Sequence, residues 1–395
     1  MHNLLPGVEG FMYPNEMELQ WSILIVLYPF ITGLVAGAFI LASLERVFNL
    51  EAIRPTYRLA LLTALAFLIV APLPLQLHLG HPERSIEMFL TPHKTSAMAM
   101  FGFVYLWYLL AVLVIEIWLE YRPYIVARAQ SAAGWSRWFY RAATLGSYNL
   151  SPRALRIDDR IGRLITVVGI PSAFLLHGYV GFIFGSVKAN PWWSSVMMPV
   201  VFLFSAIVSG IAIVMLLYMI IIPIRGGKIA MKCLDRVASF LFYAVIVDFS
   251  IEVLDFIHRL YESEESIKIL SELVTTKLFM SLVVLQILLG MLLPLAVMAV
   301  IKVFKLQEDL RKLLYFVCAL LIQLGIFSTR WNVVIGGQLF SKSLRGLTVY
   351  KLQVLGLEGV FISAGLLLLP LVILYVLVKI LPPWTDDAPQ AAPSS

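Results

Sequence analysis

Long apolar segments separated by short polar connections run through this 395-residue chain from residue 21 to residue 381. A helix needs about 20 mostly apolar residues to cross a bilayer. Segments of about that length predict nine transmembrane spans, at 21–43, 57–79, 97–119, 163–187, 195–224, 235–258, 275–302, 311–328 and 354–381. Only the short tip 188–193 joins the fourth and fifth spans, so these two must form an antiparallel transmembrane hairpin.

The composition agrees with this pattern, because 60% of the residues are hydrophobic and only 14% are charged. The mean hydropathy is +0.88, well above that of soluble domains. The sequence therefore predicts an all-α polytopic membrane protein. We expect residues 1–20 to form an outer N-terminal segment, residues 21–381 a transmembrane domain, and residues 382–395 a disordered tail.

The positive charges predict an orientation in the membrane. Cytoplasmic loops of membrane proteins are enriched in Lys and Arg. Of the 30 such residues, 20 lie at the connections after spans one, three, five and seven and at the C-terminal end. We therefore expect the N-terminus outside and the C-terminus in the cytoplasm. The net charge of +6 follows from these loops, so no nucleic-acid partner is expected.

The two cysteines limit the redox chemistry that the chain can hold. Cys233 and Cys318 are far apart in the sequence, and each has apolar neighbours. A disulfide, a zinc site or an iron–sulfur cluster held by this chain alone is therefore not expected. Any redox metal should belong to a partner.

Span six carries charges where the membrane makes them costly. Asp248, Glu252, Asp255 and Arg259 follow each other at steps of four, three and four, which places them on one helix face. A charge near the bilayer centre costs on the order of 2.5–3.5 kcal/mol, so each one needs a partner, water or a function. The three carboxylates predict a proton path. The alternative is an ion-pair ladder, with Arg330, that only joins helices.

Other polar residues collect at the outer ends of the spans. His78 and His81 lie at the outer end of span two, residues 329–338 end span eight, and His177 and Tyr179 lie near the hairpin tip. In the nine-span arrangement all of them are on the same side of the membrane. Their convergence predicts a binding site there.

Three motifs resemble the NrfD/PsrC family of quinone-interacting membrane subunits of polysulfide reductase and related respiratory complexes. Residues 28–38, YPFITGLVAGA, resemble the small-residue motif of the family's first helix. Residues 78–84, HLGHPER, resemble its Asp-Leu-Gly-Arg-Pro-Glu-Arg motif, with His78 and His81 in place of Asp and Arg. Residues 179–210 resemble its central hairpin, and the ninth span fits the longer members found in hydrogenase and sulfur-respiration complexes.

The resemblance implies two four-helix bundles plus an extra helix, in the cytoplasmic membrane of a prokaryote. It implies that menaquinone or ubiquinone binds near the outer face, with no haem or iron–sulfur cluster held by this chain. A ferredoxin-like subunit with several iron–sulfur clusters should dock over the pocket and exchange electrons with a catalytic or cytochrome subunit. The chain would then bind quinone or quinol for a respiratory oxidoreductase, with proton translocation as an added possibility.

The candidate quinone-contacting residues share the outer ends of their spans and are Tyr28, His78, His81, His177, Tyr179 and Arg330. Tyr28 and Tyr179 are carried over from the resemblance. A Tyr hydroxyl or His N–H can donate a hydrogen bond to a quinone carbonyl and can relay protons. Asp248, Glu252 and Asp255 are the candidate proton path, and neither a catalytic residue nor a metal ligand is expected.

Two other functions compete with this one. A haem-b anchor needs paired histidines projecting toward one iron, and no span holds two histidines about fourteen residues apart. His78 with His177 is the pair that stays open. A proton-coupled transporter would place its polar site near the midplane in broken helices, whereas the polar groups here, apart from Asp248, crowd one end.

Overall fold

The computed structural model describes residues 8–262 and 265–384. Within these ranges, nine helices are long and apolar enough to cross a membrane. In chain order, spans 1 to 9 are Ile23–Phe48, Glu51–His78, Ala99–Ser131, Pro152–Gly185, Met198–Ile224, Met231–Glu262, Phe279–Val303, Glu308–Gln338 and Val360–Ile380. The prediction of an all-α polytopic protein is confirmed. The disordered tail predicted for 382–395 lies mostly outside the described residues.

Several helices run beyond the predicted apolar segments. Span 4 begins at Pro152, where the Ser151 hydroxyl accepts a hydrogen bond from the Ala154 N–H at 3.3 Å. Ser is a favoured cap, and Pro suits the first turn because its missing N–H would be unpaired there anyway. The hydrophobic pattern therefore located the membrane crossing but missed the polar turns that extend it.

Three spans are interrupted. Span 2 comprises the 3₁₀ turn Glu51–Ile53 and the helices Arg54–Val70 and Leu73–His78. Spans 3 and 7 contain π-helical segments, which are rare and widen the helix locally. Span 3 passes from the helix Ala97–Leu106 through the π-helix Trp107–Val114 to the helix Ile115–Ser131. Span 7 comprises the π-helix Phe279–Leu292 and the helix Leu293–Val303.

Short elements cover the ends of the spans. The helices among them are Pro14–Glu16, Pro82–Ile86, Glu87–Leu90, Gly134–Ala143, Ile267–Thr276 and Gly336–Gln338. The strands Glu9–Gly10 and Gly346–Leu347 pair antiparallel and tie the N-terminal segment to the connection before span 9. We call the end of the molecule that carries this pair the outer end.

Spans 1 to 4 form one bundle, spans 5 to 8 form a second, and span 9 packs on span 2. The expected two bundles plus an extra helix are thus observed. Spans 1 and 5 cross at Gly37 and Gly210, where a Cβ on either residue would overlap the backbone of the other helix. Small residues allow such close approach between membrane helices.

Gly210→Leu tests this crossing. The added side chain must push span 5 away from span 1, so we expect the free energy of unfolding to fall by about 3 kcal/mol or more, the upper end of the usual overpacking range. Unfolding in mixed detergent micelles, followed by tryptophan fluorescence, measures the change. Gly365→Leu in span 9 is the control because its Cβ would meet open space. Equal stability of the two variants would contradict the crossing.

Candidate functional site

An apolar cavity of about 630 Å³ opens at the outer end of the first bundle. Small-molecule sites are usually concave, mainly apolar and about 300–1,000 Å³ in volume. All four spans of the bundle and the connection 79–89 contribute to its wall. The aromatic residues of the wall are Trp21, Tyr28, Phe89, Phe101, Tyr105 and Phe184. The cavity therefore suits a flat, apolar ligand.

Tyr28 places an unused polar group in this wall. Its side chain is only 5% exposed, and its hydroxyl has no hydrogen-bond partner among the described residues. The ring packs edge-on against Phe101, whose other neighbour, Tyr179, stacks on it with centroids 5.7 Å apart. Leaving a buried hydroxyl unpaired typically costs about 1–3 kcal/mol. A ligand that accepts a hydrogen bond would remove that cost.

His78 forms the outer part of the wall and is held by a carboxylate. Its Nδ1 lies 3.0 Å from Oε1 of Glu358, which belongs to the connection before span 9. Both side chains are partly exposed. The connection before span 9 therefore supports the wall of the first bundle's cavity through this contact.

Glu358 also lines a smaller cavity of about 210 Å³ on the outer side of the protein. Glu18, Tyr350 and Lys351 line the same space. Burial raises the pKa of Tyr350, and its hydroxyl accepts a hydrogen bond from the Ile23 N–H at 3.1 Å. His78 and Glu358 thus connect the apolar cavity with a polar one.

His81 lies elsewhere. The helix before it ends at His78, because Leu79 has an extended backbone with ψ of 134°. The side chain of His81 is 67% exposed and contacts Glu83 at 3.1 Å. Arg84, which was not among the predicted site residues, lines the cavity in its place. In the sequence, Arg84 is marked as a candidate by its place in the 78–84 motif.

His177 lies deeper, fully buried between the two bundles. Its Nε2 is 3.1 Å from Nη2 of Arg330, and its Nδ1 is 3.3 Å from the Thr32 hydroxyl. A guanidinium only donates, so Nε2 must accept and Nδ1 must carry the proton. Thr32 in turn donates to the carbonyl of Tyr28 at 2.9 Å. His177 therefore does not line the cavity but is linked to the helix turn that carries Tyr28.

Arg330 is the largest fully buried side chain in the described part of the protein. Its Nη2 donates to the Ser205 hydroxyl at 2.7 Å, and the guanidinium lies 4.2 Å from the centroid of the Phe202 ring. Its Nε and Nη1 have no hydrogen-bond partner within the described ranges. Arg330 thus joins span 8 to spans 4 and 5 and does not line the apolar cavity.

The acidic face of span 6 points into the second bundle. Asp248 is 1% exposed, and neither of its carboxylate oxygens has a hydrogen-bond partner in the described residues. Glu252 accepts a hydrogen bond from Gln286 at 2.8 Å, and Gln286 accepts one from Asn332 at 2.8 Å. Both acids interact electrostatically with Arg330.

Asp255 has a different environment. It accepts hydrogen bonds from the Ser195 hydroxyl at 2.5 Å and from Arg259 at 3.0 Å. Arg259 also donates to the Pro191 carbonyl at 2.7 Å. This outer pair therefore ties span 6 to the hairpin tip, as the ion-pair alternative predicts, whereas Asp248 has no such contacts.

Gln286 and Glu358 belong to these sites, but neither was predicted from the sequence as a site residue. Gln286 was visible as a single amide within an apolar span. Glu358 was visible only as a charge at the start of span 9. No group of three or more His, Cys, Asp or Glu residues in the described ranges is arranged to hold a metal ion.

Comparisons with known proteins match this architecture. The family model described as polysulphide reductase, NrfD, matches residues 13–342. A selenate reductase subunit of Mesobacillus selenatarsenatis is 30% identical over 325 residues, covering 80% of this chain and 73% of the relative.

Two further relatives match a shorter stretch of 204 residues, half of this chain. A putative dimethyl sulfoxide reductase membrane subunit of Halobacterium salinarum is 29% identical, and the match covers 42% of that protein. Protein NrfD of Escherichia coli is 27% identical, and the match covers 59% of it. The resemblance seen in the sequence is confirmed, and the chain belongs to the polysulphide reductase NrfD family of multi-pass membrane proteins.

Proposed function

We propose that this chain is the quinone- or quinol-binding subunit of a respiratory reductase complex in the cytoplasmic membrane of a prokaryote. The observation that carries the proposal is the aromatic cavity of about 630 Å³ with the unpaired Tyr28 hydroxyl in its wall. A quinone is flat and apolar, and its carbonyls accept hydrogen bonds from such a hydroxyl. Relatives named as subunits of selenate and dimethyl sulfoxide reductases support the assignment to a reductase complex.

The partner in electron transfer would dock at the outer end. Apolar side chains outside the spans are exposed there, and an exposed apolar patch commonly marks a protein interface. These residues are Phe11, Leu352, Val354, Leu355 and Leu357, each at least 49% exposed. A ferredoxin-like subunit with several iron–sulfur clusters, connected to a catalytic or cytochrome subunit, fits this position next to the cavity. The N-terminus would accordingly be outside and the C-terminus in the cytoplasm.

Protons must move with the electrons. Oxidation of one quinol releases two electrons and two protons, and reduction of one quinone takes up the same number. We assign the electrons to the partner's clusters and the protons to His78 and Glu358, which separate the apolar cavity from the outer polar one. A positioned imidazole is a common proton acceptor.

A second proton path follows from the acidic face of span 6. Asp248 and Glu252 interact electrostatically with Arg330, which is connected to the Tyr28 turn through His177 and Thr32. We assign Asp248 and Glu252 to proton translocation coupled to quinone turnover, with Asp255 at the outer exit of the path.

The haem alternative is disfavoured by geometry. The haem pair would need His177, and both ring nitrogens of His177 are in hydrogen-bond contact with protein groups. A haem ligand needs a free ring nitrogen directed at the iron. The transporter alternative would place the site near the midplane, whereas the aromatic cavity lies at the outer end of the first bundle.

Tyr28→Phe tests the quinone site. The variant keeps the ring but removes the donor, so we expect quinol turnover by the assembled complex to fall about tenfold, the value of one net hydrogen bond of about 1.4 kcal/mol. Tyr105→Phe is the matched control, because Tyr105 lines the same cavity but its hydroxyl already donates to the Leu68 carbonyl at 2.8 Å. Unchanged turnover in Tyr28→Phe would remove Tyr28 from the site.

Glu358→Gln tests the proton exit. The amide cannot take up a proton from His78, so we expect quinol turnover to fall by about tenfold or more and the solvent deuterium isotope effect to rise. Glu83→Gln is the control, since Glu83 makes the same contact with the exposed His81. If both variants turn over quinol at the wild-type rate, protons leave by another route.

Asp248→Asn tests the second path. We expect electron transfer from quinol to continue while proton translocation across the membrane of reconstituted vesicles is lost. The reason is that an amide, unlike a carboxyl group, cannot take up and release a proton in turn. Asp255→Asn should slow proton translocation and also lower stability, since Asp255 is assigned to the outer exit of the path and anchors the hairpin tip. A normal proton-to-electron ratio in Asp248→Asn would leave Asp248 with a structural role only.

A further inference from the structure

The second bundle repeats the plan of the first. Each contains four consecutive spans, and in each the third span has a π-helical segment, Trp107–Val114 or Phe279–Leu292. The first spans of the two bundles meet at Gly37 and Gly210. Repeats that run in the same direction in membrane proteins are related by an axis along the membrane normal, which carries the outer end of one repeat onto the outer end of the other. A counterpart of the first cavity is therefore expected at the outer end of the second bundle.

A cavity of about 340 Å³ is present there. All four spans of the second bundle line it, including Val201, Val253, Gln286, Thr329 and Asn332, and Glu252 is also in its wall. On one side, Val253, Phe256 and Ile257 of span 6 are at least 37% exposed on a surface that faces lipid in the membrane. A lipid-soluble molecule can therefore reach the cavity from the bilayer.

Two hydrogen-bond acceptors in the wall of this cavity have no donor among the described residues. Gln286 donates to one carboxylate oxygen of Glu252, and Asn332 donates to the carbonyl oxygen of Gln286. Glu252 Oε1 and Asn332 Oδ1 are shielded from solvent and lack a hydrogen-bond partner among the described residues. Asn332 is only 2% exposed. Asp255 and Arg259 also line the cavity and are paired with each other, so the unpaired polar atoms of its wall include these two buried acceptors.

We propose that this cavity binds a second molecule of lipid-soluble hydroquinone. An acyl chain would fill the apolar space but would leave both acceptors unpaired, which is unfavourable in a membrane. A hydroquinone brings hydroxyl donors on an apolar body, whereas the oxidised quinone only accepts. The site should therefore prefer the reduced form. This inference rests on the proposed function, because it assigns a second molecule of the same carrier.

Variants that fill one cavity at a time separate the two sites. Val253→Trp fills the second cavity from its lipid side, and Ile183→Trp fills the first. Quinone extracted from the purified complex and quantified by mass spectrometry should fall from two molecules per chain to one in either variant. Quinol turnover should be lost only in Ile183→Trp. Val253→Phe is the milder replacement if the Trp variant does not assemble.

The outcomes distinguish the two proposals. If Val253→Trp leaves the quinone content unchanged, or displaces a phospholipid or fatty acid instead, the second site is overturned and the first stands. If Ile183→Trp leaves both quinone content and turnover unchanged, the proposed function of the first cavity is overturned.

Binding of menadiol and menadione to the Ile183→Trp complex, measured by calorimetry in detergent, provides an independent readout. We expect menadiol to bind at least tenfold more tightly than menadione. Asn332→Leu, which removes one acceptor, should reduce that ratio. Equal affinity of the two probes, or no binding of menadiol, would overturn the second site.

Discussion

One guanidinium buried in the membrane joins the two bundles of this structure. Arg330 is fully buried and reaches His177 in span 4 and Ser205 in span 5. An intramembrane charge is tolerated only where partners compensate for the loss of water. The two bundles must therefore meet closely around it, and they can do so because Gly37 and Gly210 let spans 1 and 5 touch through their backbones.

The same contact fixes the position of the aromatic cavity. His177 is held between Arg330 and Thr32, and Thr32 caps the carbonyl of Tyr28 one helical turn away. Tyr28 thus belongs to a helix turn whose orientation depends on the joint between the bundles. A continuous set of polar contacts therefore links Arg330 of the second bundle to the helix turn of Tyr28 in the first.

The sequence predicted what depends on local pattern and missed what depends on distant contacts. The nine spans and the acidic face of span 6 follow from periodicity within one helix, and both are observed. The contact of His177 with Arg330 joins residues 153 positions apart, and that of His78 with Glu358 joins residues 280 apart. Nothing local distinguishes His78, in the cavity wall, from His81, which the end of a helix turns outward.

The second bundle contains more buried acids than are needed to join its helices. Asp255 and Arg259 already tie span 6 to the hairpin tip, and well-packed apolar residues often join helices as stably as buried ion pairs do. Asp248 adds a carboxyl whose oxygens have no hydrogen-bond partner in the described ranges, at the depth where such groups are most costly. A buried carboxyl that makes no hydrogen bond adds no stability through such contacts, so its presence is not explained by the joining of helices. Aromatic rings surround the cavity of the first bundle, and ionisable oxygens line that of the second.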